Sequence, residues 1–566
     1  MGSVSQGRGR VAGAVLVAVL AAACGGGARR EREAKEALKQ RLQGPAPAEL
    51  GPRAKDLWKS ASRYYEKNGY AFVWMDGSSP NSRAKSLQTA VSEVAADGLD
   101  PRQYDFKWLE PLQTGEKSWN PLRRKAVPPA QVAEAEVRFT TSFLKLASEL
   151  LVGRVDPARV NPHWFGQYRL VAPERMLERV VETGRVRATL NGLVPHHPQY
   201  EALRQAMQRY RDLAAKGGWP TGFVAGKGAL TAEKTAALRA RLAAEGDLAG
   251  GTAASAPPAP AGGALDPALR DALKRFEERH GLPPDGRLDG EAVRELNVPV
   301  ETRVRQMALN LERWRWLPES LGDKHILVNI PSFWLVGVEK GKTTIQMRVV
   351  TGKVENPTPV FSDLMTTVVF SPYWNVPPSI AKDEIRPALL RDPGYLDRND
   401  MEVVRESSVV SPFSVDWEAG GFTVRQRPGA KNALGQVKFI FPNNFDVYLH
   451  DTPADALFSS RDRSFSHGCV RVEKPFELAQ WVLAGQAEWT PERIREAMEA
   501  RRERHVALKD SLPVYIVYAT AWSEPDGRVS FRDDLYGHDA KQMKLLPPSP
   551  PAARVASNEP VGARAQ

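Results

Sequence analysis

Cysteine is nearly absent: the 566 residues hold two, Cys24 and Cys469. Because Cys24 sits at the extreme N-terminus, the body of the chain has Cys469 alone, which excludes a disulfide framework and any CxxC metal or redox pair. Long apolar runs are also missing. The longest, Val11 to Leu20, is too short to span a bilayer as a stable anchor. Neither a Gly-rich phosphate loop nor a zinc-type Cys/His spacing accompanies the net charge of +11, so nucleic acid is not the expected partner. An anionic polymer or membrane surface fits that excess better.

What is there begins with an export signal. Arg8 and Arg10 precede the apolar run, Ala21-Ala22-Ala23 follow it, and Cys24-Gly25 come next. Residues 1–23 read as a lipoprotein-type signal peptide, with Cys24 as the lipidated first residue. Ordinary cleavage after Ala23 would export the same protein unanchored. Residues 24–52, Gly/Ala-rich, then charged, then Pro/Ala-rich, read as a tether without a fold. An odd thiol in an exported protein points to reactivity.

Two stretches surround that thiol in sequence, Phe445-Asp-Val-Tyr-Leu-His450 and Ser466-His-Gly-Cys-Val-Arg471. A thiol needs a base or positive surroundings to become a thiolate, and His450, His467 and Arg471 are all at hand. Alternation in 445–450 predicts a strand with Phe445, Val447 and Leu449 toward a core and Asp446, Tyr448 and His450 opposite. His467 is too close along the chain to reach the sulfur, since residues two apart on an extended segment sit roughly 6.6 Å apart. This assigns His450 as general base and His467 as a supporting, orienting group. Gly468 leaves room for a substrate carbonyl to approach backbone donors. The alternative is a buried structural thiol.

His450, fifteen intervening residues and then Ser466-His467-Gly468-Cys469-Val470-Arg471 resemble the active-site signature of the L,D-transpeptidases with a YkuD-type catalytic domain. The resemblance implies Cys469 as nucleophile, His450 as proton donor and acceptor, and the Asp451 carbonyl as the group orienting that histidine. Gly468 and Cys469 N–H and the Tyr448 hydroxyl would hold the oxyanion, while Arg471, Ser466, Trp374 and Asn375 would bind substrate. It further implies peptidoglycan tetrapeptide stems as donor and acceptor, a thioester intermediate, 3→3 crosslinks, other wall-synthesis enzymes as partners, and no cofactor or metal. An L,D-carboxypeptidase, a wall-anchoring transpeptidase and a non-catalytic lipid-anchored wall-binding protein stand as alternatives. The expected location is the periplasm, anchored by lipid to the outer membrane.

The length and the alternation of helical and strand-like stretches predict an α+β multidomain chain. In 53–222, helices around Leu87–Ala96, Val132–Leu151 and Tyr200–Ala215 end at Gly98, Gly153 and Gly217, and the segment resembles the helical scaffold domain of large L,D-transpeptidases. Residues 229–317, with a flexible insertion at 246–264, resemble a three-helix peptidoglycan-binding module with Phe276, Leu282, Val293 and Leu296 as core. From Ile326, β-branched and aromatic runs predict a mostly-β catalytic domain over 324–520. Residues 379–432 read as a mobile cap, and 547–566 as a disordered tail.

Overall fold

A computed structural model describes residues 28–104, 106–109, 127–164, 171–225, 231–248 and 265–547. The signal peptide, Cys24, most of the insertion and the tail beyond 547 lie outside the described residues. The chain forms two compact units, one of residues 1–154, 168–196 and 546–566, the other of 155–167 and 197–545.

The first unit is helical and begins earlier than expected. Residues 28–43 are helix, and Ala34, Leu38 and Leu42, four apart, are buried in the unit's core. This overturns the tether: one apolar stripe suffices to dock a helix even when every other position is charged or small. The long helix Pro129–Val152 starts on a proline and stops at Gly153, whose φ is 80°. It carries Glu136, whose carboxylate accepts the N–H groups of Val73, Trp74 and Met75 and the Tyr65 hydroxyl. Burial nevertheless raises the pKa of Glu136 to about 7, against those bonds.

In the second unit, helix Pro198–Ala215, expected with the scaffold, packs instead along helix Val300–Trp314, and His197 stacks on Trp314 at 4.5 Å. Helices Ala232–Ala244, Pro267–Arg279 and Gly290–Leu296 share Leu238, Leu242, Leu269, Leu273, Phe276 and Leu296 as a core. Here the insertion starts later than expected. Asp247 is buried, bonded to Arg279 at 2.9 Å and to Arg528 at 3.2 Å, because a buried carboxylate holds its place only with its cations. Arg279 also pairs with Glu245 at 3.1 Å and donates to the carbonyl of Val529, in the hairpin Ala521–Ser523/Val529–Phe531. That hairpin and helix His538–Leu545 extend the unit past residue 520.

Nine strands form the main sheet: β1 Lys324–Asn329, β2 Trp334–Glu339, β3 Lys342–Gly352, β4 Phe361–Phe370, β5 Val437–Ile440, β6 Leu449–His450, β7 Ser464–Ser466, β8 Val470–Val472 and β9 Arg504–Val517. Their order is β7-β3-β8-β6-β5-β4-β9-β1-β2, and β2 pairs back onto β3, so the sheet closes with β7 appended. Among the described residues six pairs are antiparallel and three parallel, β7 with β3, β9 with β1, and β6 with β8, the last with Leu449 opposite Val470 and His450 opposite Arg471. Parallel neighbours require a long crossover, and residues 451–469 supply the one from β6 to β8.

Between β4 and β5 stands the cap. It holds a four-stranded sheet, Trp374–Asn375, Thr423–Gln426, Met401–Arg405 and Ser408–Val410, with its own core of Val376, Ile385, Leu389, Leu396, Val403 and Val424. Short strands and a small helical face were enough to close a core that the Asp-, Arg- and Gly-rich composition obscured.

Candidate active site

The predicted strand 445–450 shrinks to Leu449–His450, because Asn443 ties the preceding residues into a turn. Its carboxamide oxygen accepts from Phe445 and Val447 N–H, and its nitrogen donates to the carbonyls of Phe441 and Val447. Asp446 then takes a left-handed φ of 54° and turns its carbonyl onto Cys469 Sγ at 3.6 Å. The Tyr448 N–H and hydroxyl also face the sulfur. The parallel pairing of β6 with β8 brings His450, Asp451, Tyr448, Cys469 and Arg471 into one site.

His450 is 4% exposed and its Nδ1 lies 2.5 Å from the Asp451 carbonyl. A carbonyl only accepts, so Nδ1 carries the proton and Nε2 keeps its lone pair. The Asp451 carboxylate is itself held by the N–H groups of Gln436 and Thr452 at 2.7 Å each. A Cβ on Gly435 would strike it, so the turn beneath it needs glycine.

The electrostatics hold both groups of the expected nucleophile–base pair in their neutral forms. Burial pushes the Cys469 thiol up, with Tyr448's bonds and Arg471 pulling the other way. Burial, aided by Arg471 and by Lys438 across the strand, lowers His450 to about 3, against the bond to Asp451. At rest the thiol and the imidazole are therefore both neutral. Arg471 is half-buried, its pKa lowered by burial, and its Nε has no hydrogen-bond partner among the described residues.

Five predicted residues take other places: Ser466, His467, Gly468, Trp374 and Asn375. The Ser466 hydroxyl donates to the Cys469 carbonyl at 2.6 Å and accepts the Gly468 N–H at 3.1 Å, so it braces the loop and has no proton left for substrate. The same bond engages the Gly468 N–H, removing it from the expected oxyanion donors. His467 does not orient the site: it points outward, with Nε2 3.0 Å from Glu384 Oε1 of the cap. Trp374 packs on the cap core, and Asn375 is exposed on the strand that joins the cap sheet. Asp446, Lys438 and Glu384 were missed. The Asn443-Asn444 pair signals the turn that aims Asp446; nothing local signals the other two.

Residues 323–498 match the L,D-transpeptidase catalytic domain (YkuD), residues 59–207 the scaffold domain, and residues 231–296 the family described as "Putative peptidoglycan binding domain". A Haemophilus influenzae protein named "Putative L,D-transpeptidase" is 34% identical over 247 residues. That match covers 43% of this chain and 49% of the other, so the chain spans about half the length of the curated relative it matches. Among solved structures, an L,D-transpeptidase (Yku) from Stackebrandtia nassauensis is 16% identical at a TM-score of 0.20, covering 52% of this chain and 95% of that one. One from Mycobacterium smegmatis is 12% identical at 0.16, covering 34% and 58%. Overlaps of that size carry no fold argument.

Proposed function

We propose, for a chain that carries an L,D-transpeptidase (YkuD) catalytic domain, that it builds 3→3 crosslinks in peptidoglycan through a thioester on Cys469. The observation that supports this most is the neutral His450, its lone pair fixed on Nε2 by the Asp451 carbonyl, on the strand paired with the one that directly follows the sole thiol of the body of the chain. A neutral pair suits proton transfer at the moment of attack rather than before it. As Sγ bonds to the L,D-amide carbon of a tetrapeptide stem, its proton passes to Nε2. The C–N bond then breaks, the proton leaves with the terminal D-alanine amine, and the acyl group stays on sulfur. The side-chain amine of diaminopimelate in a second stem attacks the thioester, forms the new amide and restores the thiol. Cys469 N–H and the Tyr448 hydroxyl are the donors for the oxyanion; burial and the adjacent thiol push the pKa of Tyr448 well up, so it stays protonated.

Arg471, whose charge acts on both Cys469 and His450, would meet a substrate carboxylate on this reading. The site lies in an exported, lipid-anchored periplasmic protein on this reading, with the module at 231–296 holding it against the wall. Mass spectrometry of muropeptides incubated with the protein tests the proposal. A 3→3 dimer that needs Cys469 is expected. Shortened stems without dimers would move the reading to an L,D-carboxypeptidase, and no change in the stems would refute catalysis.

A further inference from the structure

The loop that carries Cys469 is held from outside by a residue the mechanism has not used. Thr358 is 1% exposed, and its hydroxyl donates to the Gly468 carbonyl at 2.8 Å while accepting the Gly352 N–H at 2.8 Å. Thr358 is held in turn by Tyr536. That phenol donates to the Gly352 carbonyl at 2.5 Å and accepts the Thr358 N–H at 3.3 Å. Tyr536 lies beyond residues 323–498, in the turn before helix His538–Leu545, where its own N–H donates to the Tyr518 hydroxyl at 2.7 Å. The close approach depends on Gly352, where a Cβ would stand 2.1 Å from the Asn356 carbonyl oxygen.

A trans peptide points its C=O and the following N–H in opposite directions. Fixing the Gly468 carbonyl on Thr358 therefore fixes the Cys469 N–H on the other side of the same plane. Gly468 has a φ of 120°, a region open in practice to glycine, so the plane on its own is free to swing. Its N–H is engaged by Ser466, while the Cys469 N–H donates to no protein group among the described residues.

We infer that Thr358, seated by Tyr536, is a positioning residue that sets the Gly468–Cys469 peptide plane and so aims the Cys469 N–H at the oxyanion. The inference rests on acyl transfer at Cys469. It assigns the C-terminal turn a part in catalysis without contact to substrate.

The test compares two reactions of the same sulfur in the full chain. Acylation by a carbapenem passes through an oxyanion; alkylation by iodoacetamide does not. Thr358→Val should slow acylation roughly 10-fold or more, leave alkylation within about 2-fold, and recover in Thr358→Ser. Tyr536→Phe should show the same split with a smaller loss, and it keeps the ring if the valine variant misfolds. Unchanged acylation in both variants, or parallel losses of acylation and alkylation in both, overturns the inference. A wild-type protein that alkylates at Cys469 but is never acylated refutes instead the acyl-transfer reading beneath it.

Discussion

His450 and Arg471 face each other as register partners on two parallel strands. The guanidinium favours a negative sulfur and disfavours a positive imidazole, so one residue pulls the two halves of the proton transfer in opposite directions.

Cys469→Ser should abolish the acyl-enzyme and leave the melting temperature near wild type, since a hydroxyl at the half-buried sulfur's position can still meet the Asp446 carbonyl and the Tyr448 N–H and hydroxyl. Intact-mass analysis after carbapenem treatment checks it, and an adduct at the wild-type rate would remove the nucleophile assignment.

His450→Gln should cost roughly 10²–10⁴-fold in acylation, and His467→Ala only a few-fold, because the latter ring faces the cap rather than the sulfur. Parallel acylation rates decide between them; a larger loss at His467 reverses the roles.

Glu384→Gln weakens a contact between the cap and the nucleophile's loop, an exposed pair worth on the order of 0.2–1 kcal/mol. The expected effect is a modest rise in hydrolysed over crosslinked product, as closure loosens and water reaches the thioester. An unchanged ratio would make the contact ornamental.

The pH dependence has two parts. Alkylation of Cys469 should climb with pH through a midpoint above the ordinary thiol value of about 8.5, because burial raises that pKa; a plateau already reached below pH 7 would mean a resting thiolate. Stability should fall as pH drops from about 6.5 toward 3, because His450, lowered to about 3, and His538, lowered to about 4, stay neutral in the fold after the unfolded chain has taken up protons. Urea midpoints across that window measure it, and His450→Gln should flatten the slope.

How much of this was legible depended on range. Cys469 and His450 stood out because chemistry restricts the residues that surround a lone thiol. Gly98 and Gly153 marked helix ends because their left-handed or extended turns exclude side chains. Leu38 gave no such signal: its stripe was diluted by charge, and the core it enters is built by residues far along the chain. Ser466 was misassigned because a hydroxyl's partner is set by the loop's closure on itself, which spacing does not encode. Tyr536 reaches Gly352 across 184 positions, beyond any local pattern.

Arg279 carries a consequence for inheritance rather than catalysis. It joins Glu245 and Asp247, inside the three-helix module, to the Val529 carbonyl of a hairpin that follows the catalytic domain. Arg279→Met, which leaves Glu245 to Arg241 and Asp247 to Arg528 alone, should cost roughly 3 kcal/mol and lower module and hairpin together in one denaturation transition. Two separate transitions would show them to be independent. A module of this kind would not be portable. Lifting out residues 231–296 would take Asp247 from Arg528 and Arg279 from the Val529 carbonyl, so descent could exchange this bead only together with a piece of chain more than two hundred positions away.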